Sequence, residues 1–162
     1  MRRVFVILIG VFLTAAMTAP GRAGEFEHGL DAFNAGAYAE AFAIWSPSAR
    51  GGDAKSQASL GFLYYTGKGV QRDNRQSLTW FRLAAEAGQP TAQYYLGVQY
   101  FYGLGTDRDF AEAYSWCDIA LTNGYSEGLS CRDAAELKMS PDDQRRSAQL
   151  TAEFFRSHEF RN

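Results

Sequence analysis

The residues able to do chemistry in this 162-residue chain are few and lie far apart. The only histidines are His28 and His158, and neither belongs to a zinc-binding or catalytic motif. None of the lysines, at Lys55, Lys68 and Lys138, follows a serine by three positions, so no serine–lysine nucleophile pair is present. The sequence therefore predicts no catalytic residue, no metal ligand and no bound cofactor.

Gly67-Lys68-Gly69 is the one stretch with the look of a phosphate-binding loop. The same glycines recur 36 residues later as Gly103-Leu104-Gly105, without the lysine. Because the glycines repeat and the lysine does not, we interpret them as turn residues with left-handed backbone conformations.

Composition and charge limit the possible partners. The formal net charge is −2, so the chain has no basic field that would attract nucleic acid. Hydrophobic residues make up 46% of the chain and aromatic residues 15%, which predicts a packed core. The length suits one domain.

The first 23 residues are predicted to be a secretory signal peptide. Arg2 and Arg3 form a positive start, and the apolar run 4–17 is short for a membrane span. Small residues precede a cut after Ala23, with a cut after Ala19 as the alternative. An uncleaved membrane anchor is the other interpretation. The preferred one predicts a periplasmic or secreted protein with no stable membrane insertion after cleavage.

A period of 36 residues aligns segment 53–88 with segment 89–124. The residues that are identical in both copies are, in the first copy, Gln57, Leu60, Gly61, Tyr64, Gly67, Gly69, Arg72, Asp73, Trp80, Ala84 and Gly88. Ser56, Leu60 and Tyr64 recur every fourth residue and predict a first helix. Asp73 is a natural cap for a second helix, whose inner stripe is predicted at Ser77, Trp80 and Ala84.

Gly61 and Gly97 lie inside the predicted first helices, where each glycine costs about 1 kcal/mol relative to alanine. Their recurrence predicts a close helix approach, with a large ring of the neighbouring helix lying against the bare backbone.

The pattern A-x-x-x-L-G-x-x-Y-x-x-G-x-G, followed by D-x-x-x-A-x-x-W-x-x-x-A and a final glycine, resembles the Sel-one-like repeat (SLR). Every position of this pattern matches between Ala92 and Gly124, although Thr106 and Leu121 depart from the family's usual valine and alanine. The first copy departs at Ser56 and Ser77. The resemblance implies an all-α, right-handed α/α solenoid of helix-turn-helix repeats related to tetratricopeptide repeats, with first helices on its concave side. It also implies a protein-interaction role. Disulfide-rich relatives imply the alternative, a cell-wall-related enzyme or enzyme subunit such as a β-lactamase-like hydrolase.

The resemblance extends more weakly beyond the two clear units. The predicted organisation is a signal peptide at 1–23 and a solenoid at 24–162, divided into a partial repeat (26–52), two repeats (53–88 and 89–124) and a degenerate repeat with a capping helix (125–157). Ser140 and Pro141 predict the start of that closing helix. Its inward-packing residues are predicted to be Leu150, Phe154 and Phe155.

Cys117 and Cys131 are equidistant from Gly124, the predicted turn of a helical hairpin. Equidistant positions face each other across such a hairpin, so in an oxidising compartment we predict a disulfide between them. Two buried free thiols are the alternative. Cystine-linked helices are also implied by the resembled family.

Aromatic side chains on the first helices are the candidate partner-binding residues. Ala58, Phe62 and Tyr65 form one stripe, and Tyr94, Val98 and Phe101 form its equivalent. The candidates are Phe62, Tyr65, Tyr94, Tyr95, Phe101 and Tyr102, with Tyr95 and Tyr102 expected to be exposed. The alternative is that these rings only pack between first helices. An open aromatic groove would favour an adaptor for an unidentified protein partner, and a polar pocket with converging acids would favour an enzyme.

Overall fold

The computed structural model describes residues 22–159, so most of the predicted signal peptide lies outside the described residues. The described chain is entirely helical, in the order α1 (Arg22–Asn34), α2 (Tyr38–Arg50), α3 (Ala54–Thr66), α4 (Asn74–Glu86), α5 (Pro90–Tyr102), α6 (Phe110–Thr122), α7 (Gly128–Glu136) and α8 (Pro141–Glu159). From α1 to α7, each helix packs against the next. The predicted right-handed α/α solenoid with a capping helix is confirmed.

Helices α1 to α6 alternate between two layers because they form three hairpins, and α7 continues the layer of α1, α3 and α5. The common surface of α1, α3, α5 and α7 is called the first-helix face below. Contacts of α5 with both α3 and α7 join the hairpins within this layer. Successive hairpins stack on one another and bury apolar surface between them. This stacking therefore sets where each side chain lies on the first-helix face.

The turns and caps follow the sequence pattern. Asp73 accepts hydrogen bonds from the backbone N–H groups of Arg75 and Gln76, and Gly67 ends α3 in the left-handed conformation with φ 73°. A side chain at the second turn glycine would collide with backbone of the preceding hairpin, at Tyr38 for Gly69 and at Asn74 for Gly105. The paired glycines are therefore turn residues, as predicted, and the second glycine also sets the stacking distance between hairpins.

The helical glycines are points of close approach, as predicted. A Cβ atom on Gly61 would lie 2.7 Å from the ring of Phe81. One on Gly97 would overlap the sulfur of Cys117. Phe81 and Cys117 occupy the same position in the two repeats and are fully buried.

The space beside each helical glycine, called a glycine notch below, is filled by a different residue from the one predicted. The inner stripe was predicted to run through Trp80 and its equivalent, Trp116, but both indoles are only partly buried. The next residue along the helix, Phe81 or Cys117, lies on the glycine instead. The prediction of a ring on the glycine is thus correct at Gly61 and wrong at Gly97, where a sulfur atom takes its place.

The closing helix begins at Pro141, as predicted, with Ser140 and the Asp143 side chain bonded reciprocally at its start. It packs mainly on α6. Its predicted inward residues, Leu150, Phe154 and Phe155, are only partly buried. The buried contact is a small one, in which the Ser115 hydroxyl donates to the Ser147 carbonyl at 3.1 Å.

Candidate interaction surface on the first helices

The six candidate aromatic residues line two open grooves on the first-helix face, called the N-terminal groove and the C-terminal groove. Phe62 and Tyr95 line the N-terminal groove, and the other four candidates line the C-terminal groove. The N-terminal groove has a volume of about 440 Å³ and is lined by Phe26, Leu30, Phe33, Trp45, Lys55, Ala58, Ser59, Phe62, Phe81, Gln89, Thr91 and Tyr95. The C-terminal groove has a volume of about 350 Å³ and is lined by Tyr65, Tyr94, Val98, Phe101, Tyr102, Ser130, Cys131 and Ala134.

Rings from successive hairpins touch along the N-terminal groove. The Phe33 and Phe62 ring centroids are 6.0 Å apart, and those of Phe62 and Tyr95 are 5.8 Å apart. Tyr95 also stacks on Phe81 with centroids 5.0 Å apart and ring planes 9° apart. These rings therefore pack between first helices and also present a face to the groove. This stacking leaves the Tyr95 ring partly buried. The prediction that Tyr95 is exposed is therefore wrong.

The C-terminal groove is richer in hydroxyl groups. Tyr102 is 60% exposed, as expected, and its neighbour Phe101 packs against Phe110 with ring centroids 5.5 Å apart. Burial, followed by nearby ionisable groups that include Glu127, raises the pKa of the Tyr94 phenol above its usual value of 10.0. At neutral pH this hydroxyl is therefore uncharged and can donate a hydrogen bond to a ligand.

Part of the N-terminal groove was missed by the sequence-based prediction. Phe26, Leu30 and Phe33 of α1 line its wall, although no partner-binding role was predicted for them. Their spacing repeats that of Ala58, Phe62 and Tyr65 on α3, which is the signal that identifies them. The opening hairpin has a shorter turn, so the period of 36 residues does not align these two stripes.

The cysteine sulfur atoms lie at disulfide-bonding distance, with the Cα atoms of Cys117 and Cys131 5.8 Å apart. Cys117 is buried against Gly97, whereas Cys131 lies on the wall of the C-terminal groove. The bridge would therefore connect the hydrophobic interior to the candidate surface.

A cleft between α6, α7 and α8 also contains acidic side chains. Asp118 and Glu136 line it, but Asp118 forms a salt bridge with Arg132 at 3.6 Å. Burial and the charge of Asp118 raise the pKa of Tyr114 above 10.0, which opposes its ionisation to a nucleophile or base.

His158 packs against an aromatic ring and a backbone carbonyl group, whereas His28 does not. The ring of His158 stacks on Phe154 with centroids 4.0 Å apart, and its Nε2 lies 2.8 Å from the carbonyl oxygen of Glu86. His28 is exposed on α1. Over the described range, no group of three or more His, Cys, Asp or Glu side chains has a metal-binding arrangement. No helix from residue 22 to 159 is long and apolar enough to cross a membrane.

Stacked helical hairpins that present aromatic grooves define a helical-repeat protein of the protein-interaction class. The family model for the Sel1 repeat matches residues 54–89 and 90–125. The chain is 32% identical to a Sel1 repeat protein from Oxalobacter formigenes, with a TM-score of 0.63 over 70% of this chain and 88% of that one. It therefore belongs to the Sel1 repeat family.

A second solved structure is a protective antigen present in uropathogenic Escherichia coli strains, which displays an SLR fold. It is 30% identical, with a TM-score of 0.75, over 84% of this chain. The present chain spans only 30% of the length of that antigen. No curated protein matches the sequence.

Proposed function

We propose that this protein is an exported adaptor or regulatory protein that binds a partner protein in the cell envelope through its first-helix face. The observation that carries the proposal is the N-terminal groove, an open surface whose lining includes rings from α1, α3 and α5. Aromatic side chains in such positions often supply the anchors of protein interfaces.

The chemistry of the lining favours binding over catalysis. Neither groove contains an acidic side chain or a histidine among its lining residues. General acid–base catalysis of cell-wall hydrolysis would require such groups close to the substrate. An open aromatic groove without them is the arrangement expected for an adaptor.

Export is the second part of the proposal and rests on the sequence of residues 1–23, together with the cysteine pair, which would oxidise in such a compartment. Cleavage after Ala23 would leave a mature protein that begins at Gly24, or at Pro20 after the alternative cut. N-terminal sequencing of protein from the envelope fraction tests this. A sequence that still begins at Met1 would contradict it.

The binding surface can be tested in the exporting cell with a photocrosslinking amino acid placed at Phe62 or Tyr102. Thr79, an exposed residue of α4, is the matched control site. We expect the same discrete partner adduct from the two groove sites and none from position 79. An adduct of equal yield from position 79, or none from either groove, would refute the proposed surface.

A further inference from the structure

We propose that the partner presents a short apolar segment that bears a carboxylate, and that this segment binds in the N-terminal groove with the carboxylate at Lys55. This inference rests on the proposed function and specifies the chemistry of the partner. It is carried by the single charge at the edge of a groove whose lining is otherwise uncharged and largely apolar.

Much of the groove is formed by apolar side chains, beside the uncharged polar groups of Ser59, Gln89, Thr91 and Tyr95. Phe26, Phe33 and Phe62 carry no polar side-chain atom. The Trp45 indole N–H, which could otherwise bind a polar ligand, donates to the carbonyl oxygen of Phe26 at 3.1 Å. The groove therefore offers mainly apolar and aromatic contact to a ligand, which suits hydrophobic side chains.

Lys55 is the only charged residue in the lining of the groove. Its ammonium nitrogen lies 5.6 Å from the ring centroid of Phe26, so the charge is held over the groove wall. In the stretch 24–158, Lys55 makes no salt bridge. Acids on adjoining segments have other partners, since Glu25 accepts from the Ser48 hydroxyl and Asp53 caps α3.

A second lysine marks the other end of the same helix pair. The ammonium nitrogen of Lys68 lies 4.8 Å from the ring centroid of Tyr38 and 5.7 Å from that of Phe33. Helices α1 and α3 run in the same direction, so Lys55 and Lys68 are at opposite ends of the α1 aromatic stripe. The third lysine, Lys138, follows α7 at the far end of the solenoid.

The attraction for a carboxylate is local. The whole chain carries a net charge of −2, which does not favour an acidic partner over a basic one at long range. Discrimination must therefore come from the lysines beside the rings, where an ion pair forms at the edge of an apolar contact. A cationic segment would instead place like charges together and be excluded.

The test is selection of random phage-displayed peptides on the whole mature protein, with a Ser59→Trp variant that fills the groove used for counter-selection. We expect enriched peptides to combine aromatic or aliphatic residues with a neighbouring Asp or Glu. The most enriched sequence, made synthetically, should bind at least about fivefold more weakly to Lys55→Glu. Lys138→Glu, which makes the same change of charge away from the groove, should bind as wild type does.

The inference is wrong if enriched peptides lack acids, or if Lys55→Glu and Lys138→Glu bind them equally. It is also wrong if no peptide depends on the groove. If each variant unfolds at the wild-type midpoint temperature, a loss of binding is not caused by a loss of folding. Thr91→Trp is a second groove-filling variant if Ser59→Trp is unstable. Crosslinking from positions 62 and 102 in the cell tests the proposed function separately.

Discussion

At the scale of single residues, three helical glycines each receive the side chain that the next helix buries against them. Trp45 lies on Gly29, Phe81 lies on Gly61, and the sulfur of Cys117 lies on Gly97. An added methyl group has no space at these positions. The side chain in the notch shrinks along the chain, from an indole to a phenyl ring to a sulfur atom. In the α5–α6 hairpin the predicted bridge to Cys131 would add to the contact that a ring supplies in the two hairpins before it.

Gly97→Val should destabilise the protein by about 2 to 4 kcal/mol because the new side chain overpacks the contact with Cys117. Ala43→Val is the control, since Ala43 is an exposed residue inside α2 where a valine side chain meets no buried contact. Chemical denaturation measures both variants. An unchanged midpoint for Gly97→Val would show that the notch has no packing role.

Glu112 gives a prediction for pH dependence. Burial, then the charge of Asp109, raises the pKa of the Glu112 carboxyl above 4.5, so the folded state favours its protonated form. Protonated Glu112 therefore adds to the free energy of unfolding at low pH. That contribution is lost as the pH rises through the pKa that Glu112 has in the folded state. Glu112→Gln retains an acceptor for the Trp116 indole N–H, now at 3.0 Å, and should unfold at the same or a higher temperature than wild type at neutral pH.

Melting temperatures measured across the acidic range test this, with the difference from wild type expected to vanish below the ordinary glutamate pKa of 4.5. Asp143→Asn is a control for which the pH dependence of stability should have the opposite sign. Hydrogen bonds from Ser140 lower the pKa of Asp143, so that variant should lose stability at neutral pH and regain parity in acid. A Glu112→Gln variant less stable than wild type at neutral pH would contradict the expected direction of the effect.

At the scale of the elements, the C-terminal end of the solenoid depends on α6. Helix α7 packs on α6 and α5, and α8 packs on α6. Helix α7 has nine residues against thirteen in α6, and it buries only Gly128 and Ala135. A covalent connection from α7 to α6 would stabilise this end where packing is least extensive.

Reduction of the predicted disulfide, or Cys131→Ser, should loosen α7 while residues 53–124 stay folded. Loss of the cross-link should cost about 3 kcal/mol. Helix α8 should be affected less, because Phe154 contacts Trp116 with ring centroids 5.5 Å apart and Ser147 is bonded to Ser115. Hydrogen exchange with and without reductant measures the effect. Two free thiols in unreduced protein from an oxidising compartment would end this account.

At the scale of the whole molecule, a repeated buried glutamine joins successive hairpins. The side-chain amide of Gln57 donates to the carbonyl oxygen of Ala49 at 3.1 Å, and Gln93 donates to Ala85 at the same distance. Each bond binds the end of one hairpin to the start of the next. Stability of such a solenoid depends on these neighbour interfaces as well as on each repeat.

Gln93→Leu should cost about 1 kcal/mol, because it removes the hydrogen bond between the two hairpins and leaves the Ala85 carbonyl with only its bond from the Gly88 backbone N–H. It should also reduce the cooperativity of urea unfolding, since the hairpins on either side become less coupled. Gln76→Leu, at an exposed position of α4, is the control and should change little. A loss of stability with a wild-type denaturant slope would show that Gln93 does not couple the repeats.

Local features of this protein were predictable because they depend on residues close together in sequence. The period, the glycine turns, the Asp73 cap and the start of α8 at Pro141 all belong to this class. Each needs only helix periodicity, a hydrogen bond over a few residues, or a backbone conformation that glycine adopts readily. Four of the six candidate aromatic residues, Phe62, Tyr65, Tyr94 and Phe101, were predicted in the same way, from stripes along two helices.

Only the tertiary structure decided which side chain enters each glycine notch and where the rings form grooves. Phe81 lies next to Trp80 in sequence, and adjacent residues differ by about 100° around a helix, so the inner position depends on how the two helices cross. The N-terminal groove combines α1, α3 and α5, whose spacing is set by the stacked hairpins. Sequence by itself determined the repeating unit, and packing between units determined the surface, because that surface forms only where separate repeats meet.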